Sequence, residues 1–470
     1  TDTEGRAMLP NKLTPGTYSI VETTAPHGYV LSDEPVTFTI DNSTLVHTWD
    51  EPLIVGMYNE PQYTELEVSK VDNESGEALV SDSATFDVVA AEDIVGVEGS
   101  VRATAGEVVD TITTDESGVA RSKPLFLGQY TLVEVDQPEG YVLPEDNEHP
   151  LTFSYTTQDV AVNTEHLEVG NTPNGFELTK RDVVTGEGLE GVEFVAYELE
   201  DSEITSEIGS YITDVEGRIN LDRIPSGVYR IVESATIPGY VLGDESVDVV
   251  VDSEGYVNEE IVAFHEVTND FTKLEISKRE IAGSDELVGA HLEIKDSEGN
   301  VVESWISEAE PHYMERIPAG TYTLIETQAP FGYLIAEEIE FTVEETGEIQ
   351  TVVMEDDFTK VQLSKQDITG DEELVGAEMR LEDSEGNVID EWISGEEPYY
   401  IERLEVGGEY TLTETIAPNG YSTAESITFT VDETGEIQQV VMKDDITRFD
   451  IAKVDLDGNF VTGARLELYD

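Results

Sequence analysis

The sequence predicts an all-β chain built of tandem β-sandwich domains, and three observations carry that prediction. Thr, Val, Ile and Tyr alternate with polar residues in short runs, the period-2 signature of half-buried strands. Turn clusters such as Asp-Glu-Ser-Gly (115–118) and Asp-Ser-Glu-Gly-Asn (296–300 and 383–387) separate those runs, and no segment has a convincing helical period. The whole arrangement recurs in units of roughly 90–110 residues, the length of one sandwich.

Three landmarks define each unit in chain order. First, a Lys ends an alternating run: LEVSK (66–70), FELTK (176–180), LEISK (274–278), VQLSK (361–365) and FDIAK (449–453). Second, a Gly-x-Tyr leads to a Glu and then a Gly-Tyr. It reads GTYSIVETTAPHGY (16–29), GQYTLVEVDQPEGY (128–141), GVYRIVESATIPGY (227–240), GTYTLIETQAPFGY (320–333) and GEYTLTETIAPNGY (408–421). Third comes an Asn or Asp: Asn59, Asn171, Asn269, Asp356 and Asp444. The next Lys follows nine residues later in four cases and eleven after Asn59. That spacing favours Asp356 and Asp444 over their neighbours Asp357 and Asp445.

This frame gives 1–62 as the back part of a truncated repeat and full domains at 63–173, 174–271, 272–358 and 359–447. Residues 448–470 open another repeat. The short hand-over implies domains set end to end as an elongated, fairly stiff rod. Residues 80–127 are longer than their counterparts, an insertion in the first full domain. Because it starts and stops inside repeats, the sequence reads as a window on a longer protein.

Composition narrows the function classes. Asp and Glu number 103 and Lys and Arg 24, a net charge of −79. Phosphate backbones and anionic lipid heads would repel such a chain, so neither nucleic acid nor membrane contact is expected. Excess surface carboxylate also suits a salty habitat. Hydrophobic residues make up 39% and fall in ordered runs, which excludes disorder. There is no cysteine, so any covalent staple must use other chemistry.

Strand parity places all three landmarks towards the core. Residues i, i+2 and i+4 share one face, and Lys70, Lys180, Lys278, Lys365 and Lys453 each continue an apolar set such as Leu66, Val68 or Phe176, Leu178. Glu22, Glu134, Glu233, Glu326 and Glu414 continue sets such as Tyr130, Leu132. Val352 and Met354 precede Asp356 in the same way, and Val440 and Met442 precede Asp444. Burial lowers a Lys pKa and raises a carboxyl pKa. A neutral amine is a nucleophile, and a protonated Glu polarises a neighbouring carbonyl and relays protons. The expected outcome is an amide between Lys and Asn or Asp, with loss of ammonia or water.

The plainer readings are a Lys snorkelling from a strand end, or a simple ion pair with the Glu. A fixed order, matched parity and constant spacing in repeat after repeat weigh against both. Enzymatic turnover is not expected: the seven His residues (27, 47, 149, 166, 265, 291, 312) do not recur in the repeat frame. No cofactor or metal is expected either. Asp455–Asn459 is calcium-like in composition but lacks a downstream Glu at the usual spacing, and reads as a solvated turn. Leu-Pro occurs at 9–10 and 143–144, and neither continues as a sortase signal.

At these residues the chain strongly resembles the collagen-adhesin B-type repeat domains of bacterial surface proteins, also called prealbumin-like or SpaA-like pilin domains. The Lys strand, the run TDVEGRINLDRIPSGVYRIVESATIPGY (213–240) and the Asp-bearing VVMEDDFTK (352–360) carry the likeness. The resemblance implies an inverse immunoglobulin-like sandwich, an intramolecular isopeptide bond with a catalytic Glu, and a place in a stalk or pilus. Carried over, it implies Lys70–Asn171 with Glu134, Lys180–Asn269 with Glu233, Lys278–Asp356 with Glu326, and Lys365–Asp444 with Glu414. Glu22 and Asn59 lack their Lys here, and Lys453 lacks its Glu and acceptor. The expected role is the stalk of an extracellular, cell-surface or wall-anchored adhesin or fibre. Its expected partners are a surface ligand bound by a separate tip and neighbouring copies in a fibre. Repeats that themselves bind a host or neighbouring-cell surface remain an alternative, as does a sortase-polymerised pilin.

Overall fold

The computed structural model describes residues 1–9, 13–41, 44, 51–80, 84–96 and 99–469, so Pro10 and His47 lie outside the described residues. Every regular element spanning more than one residue among them is a strand. The chain divides into two compact units, Thr1–Ile237 with Gly243–Asn269, and Pro238–Leu242 with Asp270–Asp470.

In the first unit, Gly16–Ile20 pairs with Val36–Ile40 as a two-stranded sheet. Residues 63–173 form a sandwich. One sheet orders Glu148–Phe153, Gly128–Asp136, Thr85–Ala90 and Val108–Thr113. The other sets the first strand, Tyr63–Asp72, parallel to the closing strand, Val162–Pro173. Tyr63–Asp72 alternates strictly between part-buried and buried, as its period-2 sequence requires. The insertion adds a small hairpin, Ile94–Val95 with Val101–Ala103, whose Ile94 and Ala103 join the core of Leu66, Phe86 and Leu132. The extra residues therefore enlarge the core at one edge of the sandwich.

Residues 175–269 repeat the plan. A three-stranded sheet orders Arg218–Asp222, Gly175–Asp182 and Val262–Asn269, with the last two parallel. A four-stranded sheet orders Glu203–Ile212, Glu193–Glu200, Gly227–Ala235 and Ser246–Val251.

The second unit contains two more sandwiches of the same 3+4 topology. In one, Lys273–Glu280 lies parallel to Ile349–Asp356, and Gly320–Gln328 is central in the four-stranded sheet. In the other, Lys360–Asp367 lies parallel to Ile437–Asp444, and Glu409–Ile416 is the corresponding strand. Their cores are Leu274, Ile276, Leu292 and Leu324, and Val361, Leu363, Leu381 and Leu412.

Candidate functional site

Each sandwich holds a buried polar cluster where the first and closing strands run side by side. The register is the same four times: Lys70 pairs with Val169, Lys180 with Val267, Lys278 with Met354 and Lys365 with Met442. Asn171, Asn269, Asp356 and Asp444 stand two residues further along, so each faces the same side as its Lys. The Glu arrives from the four-stranded sheet. All twelve side chains belong to residues at most 5% exposed.

The two Asn clusters differ in detail. Lys70 Nζ lies 2.7 Å from Glu134 Oε1. The Asn171 amide donates to the Val142 carbonyl at 2.8 Å. In the next sandwich Glu233 bridges both partners, with Lys180 Nζ 2.7 Å from Oε2 and Asn269 Nδ2 2.7 Å from Oε1. Asn269 also donates to Thr236 Oγ1 at 2.9 Å. A β-carbon on Gly243 would lie 2.7 Å from Glu233 Oε2, 3.0 Å from Asn269 Oδ1 and 3.3 Å from Lys180 Nζ, so the three groups converge on one point.

In the two Asp clusters the amine touches the acceptor directly. Lys278 Nζ contacts Asp356 Oδ1, and Glu326 Oε2 is 3.3 Å from the same nitrogen. Lys365 Nζ contacts Asp444 Oδ1 with Glu414 Oε1 at 3.0 Å. The neighbours Asp357 and Asp445 instead face Lys360 (2.8 Å) and Arg448 (3.7 Å) outside the core.

Burial sets the electrostatics. It pulls the Lys70 amine down, against the opposing charge of Glu134, and pushes the Glu134 carboxyl up. It raises Asp356 to about 7 and also raises Asp444. An ammonium, a carboxylate and a second carboxyl held dry are costly as charges and cheap as neutral species. Burial thus favours the uncharged amine of Lys70 beside the uncharged acid of Glu134, and the uncharged acids of Asp356 and Asp444.

The residue three positions after each Gly-Tyr tyrosine also serves the cluster, a role that the sequence frame did not single out. The amides of Ser32, Ala336 and Ala424 donate to Glu22, Glu326 and Glu414 at 2.9, 2.7 and 2.7 Å. Gly243 takes this position above Glu233. Pro144 takes it at Glu134 and has no amide to give. The recurring offset from the tyrosine was the available signal.

Near the two ends of the chain the landmark residues form no complete cluster among the described residues. Asn59 Nδ2 donates to Glu22 Oε2 at 2.6 Å, so acid and acceptor are assembled without a Lys. Lys453 is exposed. Asp455 Oδ1 accepts the amides of Asp457 and Asn459, each at 2.9 Å, closing a turn on itself.

Comparison with known proteins places these repeats. The prealbumin-like fold domain of the SpaA family matches residues 1–51, 64–166, 174–263, 272–357 and 359–446. The serine-aspartate repeat-containing protein F of Staphylococcus epidermidis is 23% identical over 273 residues, 51% of this chain and 15% of that protein. The chain thus spans a small part of this relative. Among solved structures, the Bacillus anthracis TIE protein is 20% identical, with 80% of this chain and 73% of that one covered at a TM-score of 0.36. A streptococcal ancillary pilin is 16% identical, with coverages of 63% and 99% and a TM-score of 0.29.

Proposed function

Because the chain belongs to the SpaA family of prealbumin-like fold domains, we propose that it forms part of the stalk of a cell-surface adhesin or fibre, each full repeat being closed by an isopeptide bond of its own making. The observation that carries this reading is the fourfold convergence of a buried Lys, Glu and Asn or Asp in one strand register. The repeats are bounded as 63–173, 174–271, 272–358 and 359–447.

The chemistry balances within each cluster. The neutral Lys Nζ attacks the side-chain carbonyl carbon of Asn171 or Asn269, or of protonated Asp356 or Asp444. Glu134, Glu233, Glu326 or Glu414, protonated, donates a hydrogen bond to the carbonyl oxygen and then carries the amine proton to the leaving group. Ammonia leaves from Asn and water from Asp, and a secondary amide joins the first strand to the closing strand. Preorganisation in a dry core supplies the rate. The event occurs once per domain, so the chain is no turnover enzyme.

Such a bond links two adjacent parallel strands at the edges of the domain sequence. Tension entering by one strand leaves by the other without unfolding the sandwich between them. The cross-link also restricts the unfolded chain, as a disulfide would, without cysteine. The place of action is the cell exterior, where a stalk holds a ligand-binding tip away from the wall. Peptide mapping of the denatured, digested chain tests the proposal: it predicts a fragment in which the peptide bearing Lys180 is joined to the one bearing Asn269. Recovery of both as separate linear peptides would refute it and favour repeats that act as ligand-binding modules.

A further inference from the structure

Two recurring features play no part in the cross-linking chemistry: the Gly-Tyr dipeptide itself, and an acid two residues after each Lys (Asp72, Asp182, Glu280, Asp367). In the first unit Tyr141 Oη donates to Asp72 Oδ2 at 2.9 Å. Arg223, from the following repeat, closes on both, with Nε donating to Tyr141 Oη at 2.9 Å and Nη2 to Asp72 Oδ2 at 3.0 Å. The second unit rebuilds the same contact from different residues. Tyr333 Oη donates to Glu280 Oε2 at 2.7 Å, Arg403 Nε donates to Tyr333 Oη at 3.1 Å, and Arg403 Nη2 donates to both Glu280 oxygens at 2.9 and 2.8 Å. Each guanidinium lies 5.8 Å from its tyrosine ring centroid.

The backbone gives an independent sign of the same joint. Arg223 and Arg403 hold left-handed conformations, φ 53° and 58°, which an arginine adopts at a cost. The glycine of each Gly-Tyr is where that arginine's backbone comes to rest. A β-carbon on Gly140 would lie 2.6 Å from Arg223 Cα, and one on Gly332 would lie 2.7 Å from Arg403 Cα. One linker residue ties the two sides together: Asn174 N donates to the Gly140 carbonyl and Arg223 N to the Asn174 carbonyl, both at 3.0 Å. Thr359 does the same between Gly332 (3.1 Å) and Arg403 (2.9 Å). The contrast is Gly28: Gln62 N donates to its carbonyl at 2.9 Å, but a β-carbon there would meet nothing within 4 Å, so no arginine backbone rests on it. In the repeat after Gly28, Pro124 stands six residues before the Gly-x-Tyr tyrosine, the place of Arg223.

We propose that Gly-Tyr and the Lys-x-acid pair form a socket, and that an arginine six or seven residues before the next repeat's Gly-x-Tyr tyrosine is the key that locks successive repeats in one orientation. The socket acid sits on the strand that carries the cross-linking Lys, but the joint does not depend on the bond. Tyr421 and Asp367, joined at 2.9 Å beside Gly420, present the same socket to a prealbumin-like domain bearing such an arginine.

The 470-residue chain offers a clean test, because it has no cysteine of its own. Spin labels on Glu92→Cys with Glu203→Cys, and on Glu298→Cys with Glu385→Cys, all at exposed positions, report inter-repeat distances by electron–electron double resonance. Arg223→Gln is expected to broaden the first distance distribution at least about twofold and leave the second unchanged, and Arg403→Gln the reverse. The swap of Asp72→Arg with Arg223→Asp restores the narrow first distribution. An unchanged thermal unfolding midpoint in each variant shows that the repeats themselves remain folded. Distributions as narrow as the parent's in Arg223→Gln, Asp72→Asn and Arg403→Gln would overturn the proposal and reduce these arginines to surface ion pairs.

Discussion

Asn269 lies diagonally ahead of Lys180 across two parallel strands, with Lys180 paired to Val267 and Asp182 paired to Asn269. That offset turns both side chains to the same face, where Glu233 holds the amine by one oxygen and the carboxamide by the other, each at 2.7 Å. A parallel ladder keeps the offset fixed, and an offset of one residue would throw the acceptor to the opposite face. The geometry of the candidate bond is therefore a property of register, repeated in three other sandwiches whose local sequences differ.

The identity of the acceptor should alter the leaving group and not the product. Asn171→Asp is expected to yield a mature protein of the same mass as the parent, since both give the same Lys amide. Asp356→Asn should behave likewise. Mass spectrometry after complete maturation checks both, and an Asn171→Asp variant one water heavier than the parent would mean that no bond forms there.

The Asp clusters should show a distinct pH dependence when the bond is blocked. Burial raises the Asp356 carboxyl from its ordinary 3.8 to about 7. The folded state then binds a proton that the unfolded state gives up, so this group's stabilising share is complete below 3.8 and is lost as pH rises towards about 7. Urea unfolding of Glu326→Gln, with and without Asp356→Asn, reads this directly. Going from about pH 4 to about pH 8, the single variant should lose stability relative to the double variant.

Much of this was legible in the sequence, because burial on a strand has a period of two. Lys70 is in step with Leu66 and Val68, and the same count separates Asp356 from Asp357; the structure sets each of the first of these in the core. The tandem all-β architecture followed from the recurrence of those runs. What the sequence hid lies in loops and in contacts between segments far apart. The Ala336 amide that holds Glu326 is a backbone group and leaves no mark on residue identity. The insertion's hairpin is too short for a strand pattern, and its contribution to the core rests on Ile94 and Ala103 alone. The left-handed Arg403 has no local sequence cause, since its reason lies in Gly332 and Tyr333 of the preceding repeat.

Gly243 should resist a side chain. Its backbone is not left-handed, so the objection is spatial: a β-carbon there would press on Glu233, Asn269 and Lys180 together. Gly243→Ala is expected to cost about 1–3 kcal/mol and to slow closure of the Lys180–Asn269 bond alone. Calorimetry and time-resolved mass measurement on freshly synthesised chain report the two effects separately.

Phe86 is expected to matter beyond its packing. Its ring is fully buried, with Lys70 Nζ 5.4 Å from its centroid. Phe86→Ala should destabilise an unbonded first full domain by about 3–5 kcal/mol. By admitting water it should also bring the Lys70 amine back towards its ordinary pKa and slow bond formation near neutral pH. Denaturant unfolding in a Glu134→Ala background measures the first effect, and the rate of ammonia loss in the single variant measures the second.

The intact mass of the denatured 470-residue chain, compared with the mass its composition requires, tests the central claim most directly. Four bonds predict a deficit of two ammonias and two waters. Glu134→Ala and Glu233→Ala should each restore one ammonia, and Glu326→Ala and Glu414→Ala should each restore one water. A mass equal to the composition mass in the mature parent would contradict the account and leave the four buried clusters as ion pairs within ordinary β-sandwiches.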